Sequence, residues 1–449
     1  MARLFGTDGV RGVANLELTP ELAYRLGRAA TLYFGEGCDK PRILIARDTR
    51  VSGHMFEAAL SAGICSAGGV AVNVGVVPTP AAAYLTKEKG MQAGIVISAS
   101  HNPFADNGIK FFGADGFKLP DAVEDEIEAL VRRIAGHDDL NRPTGSAIGT
   151  IKYRPEMRME YINFVLSTTD VDLTGKTIVL DCANGAASTV MPEILAQLGA
   201  SVIVMSADPD GVNINDGCGS THLEQLQRAV VEEKAFMGIA HDGDADRCLC
   251  VDEKGEVMDG DHMLIICGLD MLRRGVLKGN TVVTTVMANI GFHQALKQAG
   301  ARAEITNVGD RYVLENMRAN GYNLGGEQSG HIIFGDFTTT GDGPVTALQV
   351  VSAIVRSGKK ASEMNALMTS YPQLLVNVRV RSKEGWAENT AIAAAIAEGN
   401  KELGDTGRIL VRPSGTEPLI RVMAEGSDQK QLDEVCNRIA DIIRKEIGE

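Results

Sequence analysis

A chain of 449 residues with a net charge of -14 and an isoelectric point near 5.2 is too long for one ordinary core and too acidic for a duplex-binding face. At roughly 100–150 residues per domain, the length predicts three or four domains. The 5% aromatic content, with Trp386 as the single tryptophan, argues against a stacking platform for single strands, and no Lys/Arg-rich run appears. The eight cysteines form no CxxC pair, the start Met-Ala-Arg-Leu-Phe-Gly has no basic-then-apolar signal pattern, and no apolar run reaches membrane-span length. The expectation is a reduced, soluble, cytoplasmic protein with no nucleic-acid or membrane partner.

The opening Phe5-Gly6-Thr7-Asp8-Gly9-Val10-Arg11-Gly12 is a glycine-rich loop with one arginine. Thr19-Pro20-Glu21 has the order of an N-cap, a first helical position and an acidic first turn, which predicts a helix to about Tyr33. A strand over 42–46 ends at Arg47-Asp48-Thr49-Arg50. A helix over 53–67, a strand over 70–74 and a helix from Thr79-Pro80 to about Lys89 follow. An apolar strand over 94–97 then stops at Ser98-Ala99-Ser100-His101-Asn102-Pro103, where the proline cannot continue a ladder.

The plan returns with strand 177–181, helix 188–198, strand 201–205, helix 223–234 and strand 236–240, ending in His241-Asp242-Gly243-Asp244-Ala245-Asp246-Arg247. It returns again with strand 281–285, helix 291–299, strand 303–306 and a helix opened by Val308-Gly309-Asp310-Arg311. That segment ends in Gly325-Gly326-Glu327-Gln328-Ser329-Gly330-His331. Alternating strands and helices predict βαβ units, here as a divergent threefold repeat. The remainder reads as strand 374–380, helix 389–403, strands 408–411 and 419–424, and a closing helix from 428. The expected fold is α/β: three similar α/β domains (1–152, 153–255, 256–369) with mixed, largely parallel sheets around a central cleft, plus a smaller C-terminal α+β domain (370–449).

Each repeat ends on a different chemistry, at the strand end where α/β folds place their sites. Ser100 offers a hydroxyl beside His101, in a loop that also reads as an ordinary turn. Asp242, Asp244 and Asp246 alternate, so an extended loop brings their carboxylates onto one hard cation, Mg²⁺ or Ca²⁺. An EF-hand is the rival reading, because Glu253 falls at position twelve counted from Asp242; Arg247 stands where that loop needs glycine. Glu327 and His331 suit hydroxyl binding and proton handling. Arg412-Pro413-Ser414-Gly415-Thr416, with Arg421, combines an anion cradle with a hairpin turn. If the strand holding Lys110 returns beside the serine loop, that ammonium reaches the same point. A serine, a carboxylate cluster, a polyol loop and a phosphate cradle together suit phosphoryl transfer.

In order and spacing, over essentially the whole chain, these loops resemble those of the α-D-phosphohexomutase superfamily. Ser98–Pro103 is similar to its phosphoserine loop, 242–247 to its metal loop, 326–331 to its sugar loop and 412–418 to its phosphate loop. The opening loop, the Glu-Gln-Ser stretch and Arg-Pro-Ser-Gly-Thr-Glu-Pro look most like bacterial members acting on an amino-sugar phosphate. The resemblance implies that Ser100 carries a phosphoryl group, with one Mg²⁺ per chain held by Ser100, Asp242, Asp244 and Asp246. It implies that Lys110, Arg11 and His331 move protons or stabilise charge, supported by Arg247. Glu327 and Ser329 would hold sugar hydroxyls, with His101 and Gly309 also on the substrate. Arg412, Ser414, Gly415, Thr416 and Arg421 would grip the non-reacting phosphate. A hexose 1,6-bisphosphate would prime the serine, the substrate would be a phosphorylated amino sugar, and the enzyme would be a homodimer. A mannose or glucose phosphate substrate, a phosphatase and a Ca²⁺-binding module are the rival readings.

Overall fold

The first repeat is built on Arg42–Arg47, whose residues Ile43, Leu44 and Ile45 are fully buried, as a strand covered on both faces demands. The computed structural model describes residues 3–6, 8–136, 142–404, 407–414 and 418–449. Arg42–Arg47 lies between Val70–Val76 and Ala93–Ile97, parallel to both. A further strand, Asp106–Gly113, returns antiparallel to Ala93–Ile97, with Val96 opposite Lys110. Val10–Val13 and Thr150–Tyr153 complete this six-stranded sheet at its two edges.

The second repeat has the same order. Thr177–Asp181 lies between Ser201–Met205 and Met237–His241, and Cys248–Val251 returns antiparallel to Met237–His241. In the third, Thr281–Thr285 lies between Arg302–Thr306 and Leu324–Gly326, and Ile332–Phe334 returns antiparallel to Leu324–Gly326. The expected largely parallel plan therefore holds, with an antiparallel strand added in every repeat. Each polar loop is thus a hairpin turn, clamped by a ladder on both sides.

The helix expected over 188–198 divides into a 3₁₀ turn, Ala186–Thr189, and the helix Met191–Gln197. Pro192, which has no amide hydrogen to donate, is placed at the start of the second piece, where none is needed. Thr19 caps Pro20–Phe34 as expected, its hydroxyl accepting from the Leu22 amide. Gly343–Ser357 is an additional helix, buried over most of its length and capped by Asp342.

By its contacts the chain divides into two compact units, Met1–Val286 with Glu304–Ala366, and Met287–Ala303 with Leu367–Glu449. The second unit holds a three-stranded antiparallel sheet in the order Gln373–Arg379, Leu419–Glu425, Arg408–Pro413. Thr390–Leu403 and Gln429–Ile447 bury their apolar faces on it through Ile392, Val435, Ile439 and Ile443. The helix Ile290–Gln298 joins this unit; the Ile290 amide donates to Glu425, which also pairs with Arg408 at 2.7 Å. All eight cysteines are free thiols, and among the described residues no helix is long and apolar enough to cross a membrane.

Candidate active site

The hairpin between Ala93–Ile97 and Asp106–Gly113 presents Ser100 at φ 53°, a left-handed backbone that a residue with a Cβ adopts only when its surroundings enforce it. The enforcement comes from Arg50, which is fully buried. Its guanidinium donates to the carbonyls of Ser100 (2.9 Å), Asn102 (2.8 Å) and Asp106 (3.1 Å), and also to that of Pro103. Asp48 pairs with Arg50 at 2.8 Å and accepts the Ser98 hydroxyl, whose oxygen in turn accepts the Ser100 amide. From the second repeat, the Asn215 side-chain amide donates to the Ser100 and Asn102 carbonyls. The Ser100 hydroxyl is left to face the second hairpin, where it donates to Asp242 Oδ2 at 2.6 Å.

Asp242, Asp244 and Asp246 are all buried, and ligand atoms from the three lie within 4.8 Å of one another. Burial, with Asp246 and Asp244 beside it, pushes Asp242 up to about 8. Asp244 Oδ1 and Asp246 Oδ1 are buried with no hydrogen-bond partner among the described residues. Converging carboxylates with two lone oxygens fit a hard divalent cation, which removes their mutual repulsion. The EF-hand reading is overturned. The flanks Met237–His241 and Cys248–Val251 are paired strands, and Glu253 is bound to the amide and hydroxyl of Ser362.

Lys110 is buried and does return to this point. Its ammonium lies 2.8 Å from Asp244, 3.0 Å from Asp8 and 3.7 Å from Asp246. Burial opposes its charge, but Asp244, Asp8 and Asp246 more than offset that and raise its pKa. Gly9 makes the contact with Asp8 possible: it has φ 82°, and a Cβ there would stand 2.3 Å from the Ile109 carbonyl oxygen. Arg11 pairs with Asp8 at 2.5 Å. Arg247 donates to His101 Nδ1 at 3.1 Å, which is also 3.4 Å from the Ser100 hydroxyl. Burial, with Arg247 and Arg11 nearby, lowers the His101 pKa, so the ring stays an acceptor.

The third hairpin brings in His331. The Gly341 amide donates to Nε2 at 3.1 Å, while Nδ1 faces Asp246 at 3.6 Å. Burial disfavours the imidazolium, but Asp246 and Asp310 outweigh it and raise the His331 pKa. Asp310 lies 3.4 Å from the same Nε2. Glu327 accepts from the Gly309 amide at 3.0 Å, which joins those two expected sugar contacts; Ser329 is exposed.

In the second unit, Arg412 and Arg421 are directly opposite on antiparallel strands. Burial, then the Arg421 charge, lowers the Arg412 pKa. Like charges in opposed positions cost stability, and an anion between them recovers it. Ser414 is buried, and its carbonyl accepts from Lys383 at 2.7 Å. Gly415 and Thr416 lie outside the described residues.

Sequence reasoning did not single out Asp8, Asp48, Arg50, Lys118, Asn215, Asp310 or Lys383. For Asp48 and Arg50 a signal existed: charged residues at the carboxyl end of an apolar strand, which no solvated turn requires. The others meet only through the fold.

Four family descriptions match the chain in order. They are Phosphoglucomutase/phosphomannomutase alpha/beta/alpha domain I at residues 2–137, domain II at 159–255, domain III at 259–371, and the C-terminal domain at 375–442. The chain is 54% identical to the phosphoglucosamine mutase of Symbiobacterium thermophilum, over all of both chains. It is 53% identical to that of Heliobacterium modesticaldum, over 99% of this chain and all of the relative. Its fold is that of a phosphoglucomutase/phosphomannomutase family protein from Burkholderia thailandensis (TM-score 0.81, 23% identity, 99% of each chain). It is also that of Aspergillus fumigatus N-acetylphosphoglucosamine mutase, solved with GlcNAc-6P and magnesium (TM-score 0.70, 20% identity, 98% of this chain and 95% of the other). With three repeats of one sheet plan, an acidic triad facing a strained serine, and matches along its full length, the chain belongs to the phosphoglucomutase/phosphomannomutase family of phosphohexomutases.

Proposed function

We propose that the protein is an isomerase interconverting glucosamine 6-phosphate and glucosamine 1-phosphate through a phosphoserine at Ser100 and a 1,6-bisphosphate. The observation that carries this reading is the Ser100 hydroxyl held 2.6 Å from a buried aspartate triad, in a chain at least 53% identical over nearly its full length to two phosphoglucosamine mutases. In the forward half-reaction the phosphoryl group leaves Ser100 Oγ for the sugar O1. The P–Oγ bond breaks, a P–O1 bond forms, and the proton leaving O1 is relayed through a neighbouring base to Ser100 Oγ. In the second half the P–O6 bond breaks, a P–Oγ bond forms, and the Ser100 Oγ proton is relayed back to O6. Each half moves one proton and no electrons.

Lys110, Arg11 and Arg247 would offer positive charge to the moving phosphoryl oxygens, and His331 would hold the proton in transit. Glu327, with Gly309 and Ser329, would orient the sugar. Arg412, Arg421 and Ser414, with Gly415 and Thr416, would hold the phosphate that is not reacting. Asp242, Asp244, Asp246 and phosphorylated Ser100 would hold one Mg²⁺, which when bound draws charge from the phosphoryl oxygens. A hexose 1,6-bisphosphate would prime the serine, and the working form would be a cytoplasmic homodimer.

Ser100→Ala is the direct test. Mutase turnover should fall by more than about 1000-fold, and the intact mass should lose the single phosphate gained on incubation with the bisphosphate. Full activity in that variant would overturn the mechanism. A kcat/KM favouring mannose or glucose phosphate over glucosamine phosphate would overturn the substrate assignment.

A further inference from the structure

Two side chains flanking the acidic triad are each held from two sides. Lys110 faces Asp246 at 3.7 Å and, away from the triad, Asp8 at 3.0 Å. His331 faces Asp246 at 3.6 Å and, away from the triad, Asp310 at 3.4 Å. The two outer carboxylates meet on one ammonium: Lys118 Nζ lies 2.6 Å from Asp8 and 2.6 Å from Asp310. Asp246, Lys110, Asp8, Lys118, Asp310 and His331 therefore form a closed ring in which carboxylates alternate with nitrogen-bearing side chains. Asp8, Lys110 and Lys118 come from the first repeat, Asp246 from the second, Asp310 and His331 from the third.

The segment carrying Lys118 is docked independently of the ring. The Thr339 hydroxyl donates to the Gly116 carbonyl at 2.6 Å. The Arg318 guanidinium stands 4.0 Å from the centre of the Phe117 ring, and Arg311 pairs with Asp121 at 2.6 Å. Arg311 and Arg318 both lie on the helix Asp310–Asn320, whose first residue is the ring member. One short stretch of the first repeat is thus anchored along one helix of the third, and its lysine joins the two outer carboxylates.

We infer that Lys118 is a positioning residue for phosphoryl transfer, fixing the separation of Lys110 and His331 through Asp8 and Asp310; this rests on the function proposed above. An exposed lysine pair adds little to a fold, but a largely buried ammonium shared by two carboxylates pins the geometry of whatever those carboxylates hold. A displacement of about 1 Å between groups that must meet one substrate oxygen costs about 100-fold in rate.

Lys118→Met keeps the length of the side chain and removes its charge. The expected result is a kcat lower by about 100-fold, with KM for the sugar phosphate within about twofold of wild type and little change in melting temperature. Lys118→Arg should recover most of the lost kcat. The double variant Lys118→Met with Asp310→Asn should be no slower than the slower single variant, because both break one link. Wild-type kcat in Lys118→Met, or additive losses in the double variant, overturns the inference. If Lys118→Met does not fold, wild-type kcat in Asp310→Asn overturns it instead. A wild-type protein without mutase turnover overturns the functional reading and this inference together, whereas an active wild type with unimpaired variants overturns this inference alone.

Discussion

Around Ser100 each buried or half-buried cation faces a carboxylate: Arg50 against Asp48, Lys110 against Asp244 and Asp8, Lys118 against Asp310. In the C-terminal sheet the sign repeats, with Arg412 opposite Arg421. The serine loop itself is gripped by pairs already complete within the protein, Arg50 with Asp48 above all, and only the aspartate triad is left short of positive charge. The second arrangement sets two guanidinium groups side by side, which suits the phosphate grip proposed above. Bond-making asks for fixed dipoles aimed in advance, and ligand capture asks for a charge that still has work to do.

The contrast breaks most readily at Arg50. Arg50→Met leaves Asp48 buried without its cation and frees the serine loop. It should cost about 3–5 kcal/mol of stability, read by urea unfolding, and slow kcat by about 100-fold. Unaltered turnover would show that the loop holds its own shape.

Asp342 is an exception inside the first region: a fully buried carboxylate whose Oδ2 has no partner among the described residues. Burial pushes it up to about 7, against 3.8 for the unperturbed group. The folded state therefore binds this proton more tightly than the unfolded chain. Its contribution is complete below about pH 4 and is lost as pH rises through about 7. Asp342→Asn removes the titration. Relative to wild type, the variant should gain on the order of 3 kcal/mol between pH 5 and pH 8 in unfolding experiments. An equal pH dependence in both proteins would refute this.

The second region is tested by Arg412→Gln. KM for the sugar phosphate should rise by about 10-fold or more with folding stability unchanged or improved, because a like-charge pair has been removed. Inorganic phosphate should raise the melting temperature of wild type more than that of the variant. The smallest effect sharpens the Asp342 result: Tyr161→Phe deletes the hydroxyl that donates to Asp342 at 2.8 Å and should cost about 1 kcal/mol at pH 5.

Much of this site is legible in the sequence. Strand ends carrying Ser100, the three aspartates and His331 stand out because apolar runs precede them, and alternation in 242–246 points to a cation without further help. The return of Lys110 depended on a ladder that local pattern leaves undecided, since 106–113 has no clean alternation. Asp8, Lys118 and Asp310 were not legible: they lie 110 and 192 positions apart, and each alone reads as a surface charge. Arg50 stands at a strand end where nothing local shows the five partners it has in the fold. Gly343–Ser357 is buried over most of its length, so it has no polar face to mark its helical period.

The returning strand has a consequence for how such a molecule diversifies. In the three repeats the last paired residues before and after the functional loop are Ile97 and Ile109, His241 and Cys248, and Gly326 and Ile332. Each pair is a fixed frame, and the inserts between them differ in length and content while the frame stays the same. A lineage can therefore rewrite the insert without renegotiating the sheet. A chimaera exchanging 327–331 for another member's insert should inherit the donor's chemistry on the recipient's scaffold.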